Sequence, residues 1–171
     1  MKARGRVACT FLSFFLSVLA GSALASKDQG HIHLSQLTVR PGEAIQFPLQ
    51  VDNIANLAGI KLVIEYDHKR VLYKGLRKAA KAGSLMHMVN DKKPGSLILV
   101  MAGAEGISLN KEPLAFLQFM VDRSAQPGAT VLHISHVEVM SDTLKPLPVR
   151  TTDGEILIQD MHNGKESQTS P

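Results

Sequence analysis

Residues 44–52 read AIQFPLQVD, in which Ile45, Phe47, Leu49 and Val51 alternate with Gln46, Pro48, Gln50 and Asp52. A period of two is the spacing of side chains along one face of a β-strand, and an α-helix cannot gather such a set on one side. Pro48 has no N–H to give to a ladder, so it predicts an edge or a bulge at that point. The alternation returns in residues 59–66, with Ile60, Leu62, Ile64 and Tyr66 on one face and Lys61, Val63 and Glu65 on the other. Residues 96–102 are apolar on both faces, Leu97, Leu99 and Met101 against Ile98 and Val100. Residues 114–122, 131–140 and 154–159 are further strand candidates. Pro41-Gly42, Asp52-Asn53, Lys93-Pro94-Gly95, Asn110, Pro127-Gly128 and Asp153-Gly154 supply turns between them. One short stretch, Arg77 to Met86, reads as helix. Strands at this spacing predict a two-sheet sandwich. Leu62, Ile64, Leu99, Leu117 and Phe119 fall on its apolar parity and are expected in the core.

Ahead of this pattern the chain has a different character. Lys2, Arg4 and Arg6 precede an uncharged apolar stretch from Val7 to Leu19, and Ala23-Leu24-Ala25 has the small-x-small form read by signal peptidase. Residues 1–25 are therefore expected to be an export signal cleaved before Ser26. Residues 26–30 form a short N-terminal segment, 31–158 the folded domain and 159–171 a disordered polar tail. Nothing after Ala25 is apolar for long enough to span a bilayer, so the mature protein is expected to be soluble, in a periplasm or outside the cell. Removing Lys2, Arg4 and Arg6 from 19 Lys+Arg leaves 16 against 15 Asp+Glu. Such a near-neutral chain has no electrostatic footprint for nucleic acid. The one cysteine, Cys9, lies inside the signal, which removes disulfides, thiol catalysis and cysteine metal sites from the mature protein.

Side chains that could do chemistry are sparse. The chain has seven histidines. His31 and His33 share a face if their segment is a strand, but no third ligand stands near them in sequence, so no metal is expected. His133 and His136 differ in parity and would point to opposite faces unless a bulge intervenes. His68 follows Asp67, whose carboxylate is expected to cap a turn. His87 and His162 read as solvent-facing. Ser135 and His136 are sequence neighbours, whereas the members of a catalytic triad meet through the fold. GxSxG, HExxH and P-loop motifs are all missing from the sequence. No catalytic residue is assigned, and the chain is read as not an enzyme.

The order of motifs is more specific than any one of them. Val39-Arg40-Pro41-Gly42-Glu43 opens a series that continues through Asn53, Leu57-Ala58-Gly59, Ile64-Glu65-Tyr66-Asp67 and Val71-Leu72. It then runs through Gly106-Ile107-Ser108-Leu109, Glu112 to Phe119 and Ile134 to Val139, and ends at Thr152-Asp153-Gly154-Glu155-Ile156-Leu157-Ile158. This series resembles the cohesin domain over residues 32–158. The resemblance implies an all-β, nine-stranded antiparallel jelly-roll sandwich, similar in fold to the family 2 and family 3 carbohydrate-binding modules. It implies a non-catalytic module that docks a dockerin, a small helical partner carrying its own calcium, in extracellular assemblies linked to polysaccharide degradation. No cofactor of the chain's own is implied.

In cohesins the dockerin lies on the outer face of the third, fifth, sixth and eighth strands. Carried onto this sequence, those strands are residues 59–66, 87–90, 96–103 and 131–140. The outward residues are then Lys61, Val63, Met88, Asn90, Ile98, Val100 and Ala102, with Val63, Ile98 and Val100 forming an apolar patch. Two departures stand out. Gly59 and Lys61 occupy positions where many cohesins carry Asn and Asp, and Gly103 and Ala104, with Glu105 nearby, replace acidic residues expected after the sixth strand. The alternative is a carbohydrate-binding sandwich. The mature chain has no Trp and five aromatics, of which Phe47, Tyr66 and Phe119 fall on inward parity. Tyr73 and Phe116 are thus the rings left for stacking on a sugar.

Overall fold

The computed structural model describes residues 29–159, and the expected export signal and most of the polar tail lie outside them. Among the described residues eleven strands form two sheets: β1 (Gly30–Leu34), β2 (Gln36–Val39), β3 (Ala44–Asp52), β4 (Ile54–Glu65), β5 (Val71–Lys78), β6 (Met86–Asn90), β7 (Ser96–Leu109), β8 (Glu112–Val121), β9 (Gly128–Ser141), β10 (Val149–Thr152) and β11 (Gly154–Ile158). One sheet has the order β10-β1-β3-β8-β5 and the other β2-β11-β9-β4-β7-β6. No helix among the described residues is long and apolar enough to cross a membrane.

The core is the apolar parity of both sheets turned inward. Phe47, Leu49, Leu117 and Phe119 come from one sheet, and Leu62, Ile64, Leu97, Leu99 and Met101 from the other, all with at most 1% of their surface exposed. Tyr66 and Tyr73 set ring edges against Phe119 at 5.3 and 5.7 Å between centroids. Such edge-to-face contacts add directional packing to area burial.

Eleven strands rather than nine reflect two chain crossings. At Ser35 the chain leaves β1 in the five-stranded sheet and enters β2 in the six-stranded one, and at Asp153 it makes the same change from β10 to β11. β1 pairs with β10, and β2 with β11, in parallel, while the other ladders are antiparallel. Counting each broken pair as one strand restores nine. Gly154 marks the second crossing: a Cβ there would sit 2.6 Å from Leu34 Cβ and 2.8 Å from the Phe47 ring. No side chain fits where the backbone passes so close to the core.

Two expectations change, and the one for Pro48 is met by a bulge beside it and not by an edge position. The stretch from Arg77 to Met86 is not a helix; it is the end of β5, a single 3-10 turn over Ala80–Ala82 and the start of β6. Pro48 lies on β3, the middle strand of its sheet, but β1 stops pairing at Leu49 and a register shift follows between Leu49 and Gln50. The ladder is therefore locally open on one side where the proline stands, which meets the same physical demand as an edge. Tyr73 does not face outward. It is the cross-strand neighbour of Phe119 and shares its inward face, because β5 supplies a parity, Val71 in and Leu72 out, that its short irregular sequence conceals.

Candidate partner-binding face

The outer side of β9-β4-β7-β6 is a continuous ladder whose registers place side chains in three rows. Met140, Gly59, Ala102 and Met86 form the first, Glu138, Lys61, Val100 and Met88 the second, and His136, Val63, Ile98 and Asn90 the third. All seven residues assigned to this face from sequence lie on it: Lys61 and Val63 on β4, Met88 and Asn90 on β6, and Ile98, Val100 and Ala102 on β7. Period two explains this directly, since Leu62, Leu99 and Met101 fill the core and their neighbours must point out. Val63 and Ile98 are half-buried between strands, while Val100, Met88 and Met86 expose 39%, 71% and 77% of their surface. A methionine is flexible and polarisable and adapts to an irregular contact surface.

The face grades from apolar on β6 and β7 to charged on β4 and β9. Lys61 Nζ stands 3.6 Å from Glu138 Oε1, and His136 Nε2 stands 2.7 Å from the same oxygen. The His136 hydrogen bond and the Lys61 ammonium hold the Glu138 carboxyl below its ordinary range. Further along β9, His133 Nδ1 lies 2.7 Å from Asp153 Oδ2, and the Asp153 Oδ1 accepts the Ile134 N–H at 2.8 Å. The Asp153 hydrogen bond raises the His133 pKa. Burial acts against ionisation of Asp153, but the bonds from His133 and Ile134 outweigh it and hold that carboxyl low.

Sequence parity separates His133 and His136, and the sheet reunites them. His136 pairs with Val63 and His133 with Glu65, so a bulge at Ser135 puts both histidines on the outer face. Met86, Met140, His136 and Glu138 belong to the face but were not among the residues assigned to it from sequence. Met86 was reachable, being two residues before Met88 and so of the same parity. His136 and Glu138 were not, because the bulge resets parity within β9. Gly59 leaves a notch in the first row, and Gly103, Ala104 and Glu105 continue along β7 above it.

The other singled-out residues lie elsewhere. Phe116 is on the outer side of the five-stranded sheet between Pro48 and Arg77, and the Arg77 guanidinium sits over its ring, 4.3 Å from the centroid. Tyr73 is half-buried against Phe119, and burial, with lesser contributions from Asp91 and Tyr66, pushes its hydroxyl up to about 12. Asp67 Oδ1 accepts the Lys69 N–H at 2.9 Å, the turn-capping role expected of it. His31 and His33 do share a face of β1. The missing third group comes from β3, where Asp52 is the cross-strand partner of His31.

With the geometry in view, similarity to known proteins is informative. The sequence matches the cohesin domain over residues 31–158, three-quarters of the chain. The chain belongs to the cohesin family. The sixth cohesin of scaffoldin B from Acetivibrio cellulolyticus, solved with a dockerin, superposes with a TM-score of 0.70 at 18% identity, covering 77% of this chain and 99% of that one. A non-cellulosomal cohesin from the archaeon Archaeoglobus fulgidus gives 0.69 at 16% identity, covering 78% and 94%. The OlpA cohesin of Clostridium thermocellum, in its complex with a dockerin, gives 0.67 at 19%, covering 77% and 99%. At such identities the likeness establishes the shared fold. No curated protein matches the sequence. As a cohesin, the chain is of a class of non-catalytic protein-interaction modules.

Proposed function

We propose that this cohesin docks a dockerin-type module through the outer face of β9-β4-β7-β6. One observation carries the reading: Met86, Met88 and Val100 form a contiguous exposed apolar strip, floored by Val63 and Ile98, on a sheet whose core is already filled from the other side. An apolar patch with a polar rim is the composition of a protein-binding surface. Lys61, Glu138 and His136 form the rim.

With Gly59 and Lys61 in place of the Asn and Asp of many cohesins, fewer polar groups await a partner. The contact is then centred on the methionine strip, with Lys61 steering association. The module is exported and works in the periplasm or outside the cell, in an assembly linked to polysaccharide degradation. The carbohydrate-binding alternative has no comparable support, because Tyr73 packs inward and Arg77 covers Phe116.

The test is titration against a panel of calcium-loaded dockerin modules, with and without a calcium chelator. Saturable binding that is lost on chelation and in Met88→Asp supports the reading. Absence of binding across the panel, or binding indifferent to Met88→Asp, refutes it.

A further inference from the structure

The opposite sheet carries a second arrangement that docking does not use. On the outer side of β1 and β3, His31 and His33 lie two residues apart on one strand with their rings stacked, centroids 4.6 Å apart and planes 13° from parallel. Across the ladder, Asp52 Oδ2 stands 3.6 Å from His31 Nδ1 and 3.3 Å from His33 Nε2. The three side chains are 14–29% exposed, sheltered yet open to solvent. We propose that His31, His33 and Asp52 bind a divalent transition-metal ion of the zinc class, with solvent completing its shell.

The distances carry the argument. Elsewhere in the molecule a histidine facing a carboxylate closes to 2.7 Å, as at His133–Asp153 and His136–Glu138. That is the length of a charge-assisted hydrogen bond. The β1–β3 trio stands off from this length. Its two nitrogen–oxygen separations match the spacing of roughly 3.4 Å between two ligands held about 2.1 Å from a tetrahedral ion. The three ligating atoms all lie within 4.8 Å of one another, and a shared ion requires the two stacked imidazole rings to turn out of parallel so that their in-plane lone pairs converge.

A positioning contact is also present. His31 Nε2 lies 2.9 Å from Thr152 Oγ1 on β10. With that nitrogen donating its proton to Thr152, the Nδ1 lone pair is turned toward Asp52, the orienting role that outer groups play around metal-bound histidines. Two imidazole nitrogens and one carboxylate oxygen suit zinc, copper or nickel and do not suit calcium or magnesium, which take oxygen shells. The neighbour that opposes a cation is Arg150, the β10 partner of His31. Its charge is expected to make the site weaker than closed structural sites.

The experiment is calorimetric titration of the untagged, chelator-stripped protein with Zn2+, followed by Co2+ as a spectroscopic probe. One ion per chain is expected, with d–d absorption in the visible region from a low-symmetry cobalt site. His33→Gln and Asp52→Asn should each weaken Zn2+ at least tenfold and abolish the cobalt bands, while His68→Gln changes neither. Arg150→Gln should tighten Zn2+ several-fold. Melting of each variant in chelator, unchanged from the parent, separates loss of ligands from loss of fold. Absence of stoichiometric binding below millimolar Zn2+, or binding that survives both His33→Gln and Asp52→Asn, overturns the proposal. Dockerin titration of His33→Gln is independent of either result, since the two sites lie on opposite sheets.

Discussion

Leu99 and Val100 are adjacent in sequence and opposite in consequence, which makes them a sharp probe of this architecture. Leu99 is 1% exposed between the sheets, and Val100 is 39% exposed on the outer face. Leu99→Ala removes three buried carbons from a filled core and is expected to cost about 2–5 kcal/mol. At roughly 3–5 °C per kcal/mol for a domain of this size, the melting temperature falls by about 6–25 °C. Val100→Glu keeps its stem against the sheet and extends its carboxylate toward water and Lys61, its cross-strand neighbour. Its cost should stay below about 1 kcal/mol, a shift of a few degrees. Partner binding should respond in the opposite order. A carboxylate stripped of water at the centre of an apolar contact is expected to cost at least about 2 kcal/mol, roughly 30-fold in Kd. Leu99→Ala, measured well below its melting point, should bind within a few-fold of the parent. Thermal melts and titration with a bound dockerin read both quantities on the same samples. A melting temperature for Val100→Glu as low as that of Leu99→Ala would show the outer face to be buried, and the docking surface would be lost with it.

Other outcomes follow from single side chains. Phe119→Ala removes the ring on which Tyr66 and Tyr73 pack and should cost about 3–5 kcal/mol by chemical denaturation. The Arg70 guanidinium donates to the carbonyls of Gln126, Gly128 and Ala129, so Arg70→Met should destabilise by about 1.5–3 kcal/mol and raise amide exchange between β8 and β9. The His133–Asp153 pair predicts a pH window. The His133 pKa is raised from 6.5, so its contribution is full below that value and is lost as pH rises through the folded pKa. The Asp153 pKa is lowered from 3.8, so its share is present above that value and is lost as pH falls through the folded pKa. His133→Gln should therefore melt below the parent near pH 5–6, and the difference should shrink as pH rises through the raised His133 pKa. A pH-independent difference would show that the pair contributes through packing instead. Gly59 lacks a positive φ, and a Cβ there would meet Met140 Cβ at an ordinary 3.5 Å. Gly59→Ala should stabilise by about 0.5–1 kcal/mol, read as a higher midpoint in urea.

Strand parity is a local property, and it was legible. Ile45 to Val51, Ile60 to Ile64 and Leu97 to Met101 declare their buried faces by alternation alone, because each inward residue is two positions from the next. That local rule placed Lys61, Val63, Met88, Asn90, Ile98, Val100 and Ala102 on one face, with the order of strands taken from the family resemblance. The ordered motifs from Val39 to Ile158 identified the family for the same reason, being short-range features strung in sequence. Three things were decided only by the tertiary fold, and each depends on a pairing between residues distant in the chain. Tyr73 turns inward because β5 pairs with β8, and nothing within Val71–Lys78 alternates cleanly enough to reveal it. His133 and His136 share a face because β9 bulges at Ser135 to stay in register with β4. Asp52 meets His31 and His33 because β1 and β3 are hydrogen-bonded neighbours. Cross-strand register is set by the whole sheet, so a ligand set assembled across it has no signature in any one stretch of sequence.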